Sequence, residues 1–166
     1  MREKTVLITG ATDGIGKETA RSLLERGARV FLSGRDAEKG AAVVRDIARN
    51  TGTDQAEFLQ ADLSVQSDVR DLAKAVKQRT DRLDVLVNNA GAIMFHREET
   101  RDGIEMTFGL NHLNYFLLTH ELLDLLKDCA PARIVNVASI AHRRASLDFD
   151  DLQLSRGFGA WKAYSR

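Results

Sequence analysis

The architecture of this chain follows from the stretch Thr9-Gly10-Ala11-Thr12-Asp13-Gly14-Ile15-Gly16, which joins the apolar run Val6-Leu7-Ile8 to the start of a helical pattern. A strand, a glycine turn and a helix are expected in succession. A pyrophosphate bound at such a helix start needs backbone N–H groups aimed at it and no bulky side chain in between, and glycine meets both needs. The spacing G-x-x-x-G-x-G differs from the dinucleotide fingerprint G-x-G-x-x-G but satisfies the same demand. Taken alone, the stretch also allows an ordinary flexible turn before a helix.

The composition describes an ordinary globular chain of 166 residues, 43% hydrophobic and 29% charged, which suits one domain with one substantial core. Lysine plus arginine equal aspartate plus glutamate at 24 each, so no net charge favours nucleic acid as a partner. The single cysteine, Cys129, excludes an intrachain disulfide and fits a reducing compartment. The sequence after Met1 contains no apolar signal region, and no segment has the length of a membrane span. A cytoplasmic location is therefore expected.

Apolar runs of strand length alternate along the chain with longer segments of helical period, which is typical of a parallel sheet covered by crossover helices. The expected strands are residues 5–9, 29–33, 56–60, 85–87 and 134–137. Helices are expected over 14–26, from a cap at Asp36 to 51–52, from a cap at Ser64 or Ser67 onward, and over 103–129. The pattern predicts an α/β fold with a doubly wound parallel sheet.

Polar residues or glycines follow all five expected strands. Singly, each has a structural interpretation: Asp36 as a helix cap, Asp62 as a turn former, Ser139 as a surface hydroxyl. The carboxyl ends of parallel strands meet at one edge of a sheet, where open α/β folds bind their ligands. The five strand ends together therefore predict a binding site at that edge. They are residues 9–10, 34–36, 62–63, 88–91 and 138–139.

These motifs resemble the N-terminal part of the short-chain dehydrogenase/reductase superfamily. The resemblance rests on T-G-x-x-x-G-I-G at 9–16, Asp62-Leu63, Asn88-Asn89-Ala90-Gly91, Asn111 within F-G-L-N-H-L, Ser139 and Tyr164. The segment 109–119 and the interval from Ser139 to Tyr164 resemble the retinol-dehydrogenase-like branch. The resemblance implies that residues 1–166 form a dinucleotide-binding Rossmann domain, incomplete at its C-terminal end and truncated after the fifth strand.

By this resemblance, three glycines of the first turn would cradle the pyrophosphate of the cofactor, Asp62 would meet its adenine ring, and residues 88–91 would support the central strand near the nicotinamide ribose. The full set of expected cofactor-binding residues is Gly10, Thr12, Gly14, Ile15, Gly16, Arg35, Asp62, Leu63, Asn89, Ala90 and Gly91.

Arg35 favours NADP over NAD as the cofactor. A guanidinium presents a planar fork to a 2′-phosphate, whereas a carboxylate at the end of strand two would pair with the ribose hydroxyls of NAD. Gly34 leaves that carboxylate position without a side chain. Asp13 and Asp36 oppose the assignment, because either acid could lie near the phosphate and repel it. If Asp36 caps a helix, its charge faces backbone N–H groups and the objection weakens.

The resemblance implies hydride transfer between the nicotinamide and an alcohol or carbonyl carbon, with Tyr164 as the general acid or base. Ser139 would bind the substrate oxygen, and Asn111 would kink its helix and hold a water of a proton relay. A free tyrosine has a pKa near 10, so a neighbouring cation must lower it. The family places that cation, a lysine, four residues after the tyrosine, which is position 168 and two beyond Arg166. Lys162 lies on the wrong side of Tyr164 to replace it simply, and Arg166 stays charged and cannot carry a proton.

Two functions are consistent with the sequence. One is an NADP-dependent oxidoreductase acting on a small alcohol or carbonyl compound of lipophilic character, whose chain continues past Arg166; the 166 residues alone are then expected to be inactive. The other is a non-catalytic nucleotide-binding or interaction protein that ends there. The apolar residues of 103–129 suggest a homodimer. No metal site is expected, because the four histidines do not have metal-ligand spacing. They are His96, His112, His120 and His142.

Overall fold

The computed structural model describes residues 1–166, the side chain of Arg144 excepted. Five parallel strands form one sheet in the order β3-β2-β1-β4-β5, so the direction of winding reverses between β1 and β4. This topology confirms the predicted doubly wound α/β fold. The strands are β1 (Thr5–Thr9), β2 (Arg29–Gly34), β3 (Ala56–Gln60), β4 (Val85–Asn88) and β5 (Arg133–Asn136).

Helices cover both faces of the sheet. The helices are α1 (Gly14–Glu25), α2 (Ala37–Thr51), α3 (Gln66–Arg79), α4 (Met106–Phe108), α5 (Asn114–Glu121), α6 (Leu123–Asp128) and α7 (Ala160–Ser165). A π-helical turn, Gly109–Leu113, joins α4 to α5, and a 3-10 turn, Ile140–Arg144, follows β5. In the part of the chain that the structure describes, no helix has the length and apolar character needed to cross a membrane.

Side chains of β1 alternate between two buried clusters, because successive residues of a strand point to opposite faces. Val6 and Ile8 pack with residues of α1 and α2 on one face, and Leu7 packs with residues of α3 and α5 on the other. All five residues of β1 are buried. The central strand therefore ends, at Thr9, in the middle of the sheet edge where the site is expected.

The helix caps are only partly those expected from the sequence. Asp36 caps α2 by accepting the N–H of Lys39 at 2.9 Å, as predicted. The predicted caps Ser64 and Ser67 are wrong for α3: Val65 occupies that position and makes no side-chain bond, while the Ser64 hydroxyl donates to Asp62 Oδ1 at 2.7 Å.

The predicted continuous helix over 103–129 is also wrong in extent. Gly103 adopts a left-handed φ of +72°, and α4 begins only after Glu105, whose carboxylate caps it. The π-helical turn then inserts an extra residue, with the N–H of Asn114 donating to the carbonyl of Gly109. A second break at Leu122 separates α5 from α6. The apolar residues of this region thus lie on a helical stretch that runs from α4 through the π-helical turn to α5, and on α6 after the break at Leu122.

Candidate active site

A cleft of about 1720 Å³ opens at the carboxyl ends of the strands. It is lined by every predicted site residue except Gly16. Five loops therefore place the expected cofactor-binding and catalytic groups in one continuous depression. The residues brought together are Gly10, Thr12, Gly14, Ile15, Arg35, Asp62, Leu63, Asn89, Ala90, Gly91, Asn111, Ser139 and Tyr164.

Each glycine of the first turn meets a different steric demand. Gly10 has a left-handed φ of +62°, and a Cβ there would lie 2.8 Å from the Cα of Ala90. Gly14 has a φ of +49°, and a Cβ there would have no protein atom within 4 Å, so it would extend into the cleft. A Cβ on Gly16 would lie 2.4 Å from the carbonyl oxygen of Gly10. Gly14 thus leaves a cradle open at the start of α1, which fits a pyrophosphate, whereas Gly10 lets the turn pack against Ala90 and Gly16 lets the helix pack on the turn.

Thr9 and Asn89 lock the glycine turn to the loop after β4. The Thr9 hydroxyl oxygen accepts the N–H groups of Asn89 and Ala90 at 2.9 and 3.0 Å. The Asn89 amide donates to the carbonyls of Thr9 and Gly10 at 2.8 and 3.2 Å. Asn89 therefore holds the backbone of the glycine turn in its shape. Thr9 itself is fully buried and contributes by holding the turn in place.

Asp62, the residue expected near the adenine ring, follows β3 at the far end of the cleft. One of its carboxylate oxygens accepts both the N–H and the hydroxyl of Ser64, at 3.0 and 2.7 Å. Leu63 is 5% exposed and belongs mainly to the core. The loop is thus fixed by its own hydrogen bonds, and Asp62 keeps a free carboxylate oxygen toward the cleft.

Arg35 is exposed at the mouth of the cleft. A Cβ on Gly34 would lie 2.8 Å from Cγ2 of Thr12, so the space of an acidic side chain there is already filled by the threonine. Asp36 is turned to the backbone of α2 as its cap. Arg35 can therefore offer its guanidinium to a ribose phosphate. Positions 34 and 36 present no carboxylate to that phosphate.

Lys39 joins Arg35 at this end of the cleft and was missed by the sequence reasoning. Its ammonium pairs with Asp13 at 2.7 Å, and this hydrogen-bonded pair lowers the pKa of the Asp13 carboxyl. Asp13 also accepts the N–H of Gly14 at 2.8 Å as the cap of α1. The negative charge that opposed NADP binding is thus compensated by a neighbouring cation. The position of Lys39, four residues after Arg35, was the sequence signal for this second cation.

Asn111 lies in the π-helical turn, where the sequence predicted a kink. Its side-chain amide makes two bonds with the backbone of Ala92: the Ala92 N–H donates to Oδ1 at 2.9 Å, and Nδ2 donates to the Ala92 carbonyl at 2.8 Å. The amide thus fixes the π turn to the loop after β4. Its part in a proton relay stays a prediction.

Ser139 and Tyr164 come from the two segments that follow β5. Ser139 caps the 3-10 turn by accepting the N–H of Ala141 at 3.2 Å, which leaves its hydroxyl hydrogen available as a donor. Tyr164 lies on α7, with its ring 6.0 Å from that of Trp161 in an edge-to-face arrangement. Lys162 is exposed on the same helix and, two residues away, lies about 200° around its axis from Tyr164. Lys162 therefore faces away from the tyrosine, as expected.

A second phenol, that of Tyr115 on α5, also lines the cleft. Burial, and to a smaller degree the nearby Tyr164, raise the pKa of Tyr115 to about 12. Tyr115 is therefore held in its neutral form at physiological pH, and it is a poorer proton carrier than an ordinary tyrosine.

Comparison with known proteins gives a consistent result. The sequence model of the short chain dehydrogenase family matches residues 4–149. Retinol dehydrogenase 11 of Homo sapiens is 48% identical over 161 residues, which cover 97% of this chain and 51% of that protein. Polyprenol dehydrogenase of Homo sapiens is 40% identical over 168 residues, covering 99% and 51%.

A solved structure, the Pseudomonas aeruginosa RhlG/NADP active-site complex, matches with a TM-score of 0.78 and 34% identity over 99% of this chain and 61% of that one. The chain spans about half the length of the curated relatives it matches. The predicted resemblance to the N-terminal part of retinol-dehydrogenase-like proteins is confirmed by these matches. With the glycine turn, the strand-end motifs and the parallel sheet in agreement, the chain belongs to the short chain dehydrogenase family.

Proposed function

We propose that this chain is the cofactor-binding and proton-transferring part of an NADP-dependent oxidoreductase that interconverts a lipophilic alcohol and its carbonyl compound. The observation that carries the proposal is the single cleft shared by the glycine turn, Arg35, Ser139 and Tyr164. The relatives named retinol and polyprenol dehydrogenase support a lipophilic substrate, and the RhlG complex supports NADP.

The residues of the cleft fit a phosphorylated dinucleotide. Gly14 leaves room for a pyrophosphate against the first turn of α1, whose N–H groups carry partial positive charge. Arg35 supplies a cation for a 2′-phosphate at the other end, and Lys39 neutralises the nearby carboxylate of Asp13. When bound there, NADP would supply the hydride or accept it.

Tyr164 and Ser139 would handle the substrate oxygen. In the reductive direction the Tyr164 hydroxyl gives its proton to the carbonyl oxygen, and in the oxidative direction its phenolate takes the proton of the alcohol. The free hydroxyl hydrogen of Ser139 can hold the same oxygen in place. Lys162 faces away and the charge of Arg166 is compensated by Glu105. The resemblance to the family implies that the cation that lowers the pKa of the phenol is a lysine at position 168. We therefore propose that residues 1–166 are an incomplete Rossmann domain.

The test uses the full chain that the coding frame specifies, with NADPH and a panel of lipophilic aldehydes and ketones. Tyr164→Phe removes only the proton carrier, so kcat should fall at least about a hundredfold while NADPH binding is retained. Tyr115→Phe is the matched control, because it removes a buried phenol of the same cleft, and it should change kcat by less than about threefold.

Normal turnover by Tyr164→Phe would show that another group moves the proton. A coding frame that ends at Arg166, with a cooperative thermal melt of the 166-residue chain as a monomer, would support the non-catalytic alternative. The homodimer and the cytoplasmic location stay predictions, to be tested by sedimentation and by fractionation of cells.

A further inference from the structure

An ion pair lies buried beneath the cleft between α4 and α7. The Glu105 side chain is 0% exposed and that of Arg166 is 5% exposed, and Nη2 of the arginine donates to Oε2 of the glutamate at 3.0 Å. Most ion pairs of this protein lie at its surface, where such pairs contribute little. A fully enclosed pair differs, because each charge left without its partner would be strongly unfavourable.

The carboxylate of Glu105 is held in one orientation by further donors. Its Oε1 accepts the N–H of Thr107 and its Oε2 accepts the N–H of Phe108, both at 2.9 Å. Its own backbone N–H donates to the side chain of Gln153 at 2.8 Å. The guanidinium of Arg166 also lies 5.5 Å from the centre of the Phe108 ring. The acceptor that Arg166 meets is therefore rigid, which fixes where the end of α7 can lie.

The helix α7 begins after Gly159, which has no side chain to cap it. It packs against α4 and the 3-10 turn, and the pair of Arg166 with Glu105 joins its end to the start of α4. Arg166 stands two residues after Tyr164, and Glu105 stands six residues before Asn111. The pair thus joins the segment that bears the tyrosine to the segment that bears the π-helical turn.

We infer that Glu105 is a positioning residue for Tyr164, acting through Arg166 to hold α7 against α4 and the π-helical turn. The inference rests on the proposed role of Tyr164 in proton transfer. Because the pair is electrically neutral, it fixes the place of the phenol without supplying the cation that activates it. Loss of the pair should therefore disorder α7 and slow the proton step, and leave cofactor binding at the glycine turn intact.

Hydrogen exchange measured by mass spectrometry on the full chain tests this inference without relying on activity. In Glu105→Gln and in Arg166→Met, amides of α7 should lose protection at least about tenfold, while those of α1 and α2 keep theirs. The double variant should lose no more than the single ones, because both changes break one contact. Arg166→Lys keeps the charge and should recover part of the protection. Arg166→Met leaves the capping bonds of α4 in place, so it remains informative if Glu105→Gln does not fold.

Asp84→Asn is the matched control, since Asp84 is a buried carboxylate paired with Lys4 and Arg82 at the opposite end of the sheet. It should leave exchange in α7 unchanged relative to α1. In turnover assays, Glu105→Gln and Arg166→Met should lower kcat at least about tenfold with less than about a twofold change in KM for NADPH.

Unchanged exchange in α7 for both single variants would overturn the inference, and so would equal loss of protection throughout the chain. If Tyr164→Phe keeps full turnover, the proton-transfer proposal fails, while the exchange data still report whether the pair orders α7.

Discussion

Within residues 1–166, strands β1 and β5 occupy the centre and one edge of the same sheet, and they differ in burial and in strand pairing. All five residues of β1 are buried and the strand pairs with both β2 and β4, whereas all four residues of β5 are exposed and the strand pairs with β4 alone. The glycine turn that follows β1 is locked by Thr9 and Asn89. The segment after β5, which carries Ser139, includes the exposed side chains of Ile140 and Phe149.

This difference in burial separates the turn expected to bind the cofactor from the segments that carry Ser139 and Tyr164. The cofactor cradle is part of the core, so it should persist as long as the domain is folded. In residues 1–166, the hydroxyls of Ser139 and Tyr164 lie on segments with little burial of their own. Stability and catalysis should therefore respond to different substitutions.

The largest effect expected is a contrast in hydrogen exchange within the polypeptide of residues 1–166. Amides of β1 should exchange only by global unfolding, while those of β5 should exchange by local opening, at least about a thousandfold faster. Mass spectrometry of peptides covering the two strands measures this contrast. The same polypeptide should show no steady-state dehydrogenase activity, because the proposed function places the cation that activates Tyr164 at position 168. Equal protection of β1 and β5 would contradict the comparison.

A pair of glycine substitutions tests the comparison next. Gly16→Ala would place a Cβ 2.4 Å from a backbone oxygen and should lower the free energy of unfolding by about 3 kcal/mol, the upper range for overpacking. Gly159→Ala, at the start of α7, meets only ordinary contacts at 3.7 Å and should change it by less than about 0.5 kcal/mol. Urea unfolding of both variants gives the two numbers. Similar losses would show that the two regions are equally well packed.

Substitutions in the two regions should also differ in their effect on cofactor affinity. Arg35→Ala should weaken NADPH binding by about 1.5 to 3 kcal/mol and leave NADH binding nearly unchanged, because only NADPH has the 2′-phosphate. Ser139→Ala should leave the binding of both cofactors unchanged. Titration by the fluorescence of the reduced cofactor measures each constant. Equal losses for NADPH and NADH in Arg35→Ala would remove the role assigned to the guanidinium.

The smallest effect concerns Asp84, which ties β4 to β1. Arg82, together with Lys4 and the N–H of Thr5, holds the pKa of Asp84 well below its usual range, against the opposing effect of burial. A lowered pKa means that the folded state favours the carboxylate, so its stabilising effect is complete well above pH 4 and declines as the pH falls further. Asp84→Asn should lower the free energy of unfolding by about 1 to 2 kcal/mol at pH 7 and by less at pH 3. Urea unfolding at pH 7 and at pH 3 measures the loss of free energy of unfolding. A larger loss at pH 3 than at pH 7 would contradict the prediction.

The sequence predicted the fold and most of the site because both depend on local signals. Strand-length apolar runs end in polar residues, and parallel strands bring those ends together without further information. The capping role of Asp36 was likewise readable from its neighbours. Gly16 was assigned to the cofactor because sequence cannot distinguish a glycine that faces a ligand from one that allows packing. Only the position of the Gly10 carbonyl beneath it makes that distinction.

The missed features depend on contacts between distant segments. The π-helical turn is fixed by bonds from Asn111 to Ala92, and the start of α4 is fixed by Glu105, so the apolar period of 103–129 could not reveal either break. The pair between Glu105 and Arg166 spans 61 positions. Two residues so far apart, among 48 charged residues of mixed sign, carry no pattern that singles them out.

Trp161 gives the molecule an optical property. It is the single tryptophan among the 166 residues, it is exposed, and its ring stands edge-on to that of Tyr164. Indole emission overlaps the absorption band of a reduced nicotinamide, so a cofactor bound in the adjacent cleft should quench it by energy transfer. Light absorbed by Tyr164 should pass to the same indole over 6.0 Å. Excitation at the long-wavelength edge of the protein absorption band excites Trp161. The quenching of its emission then reports how close a bound dinucleotide lies to α7.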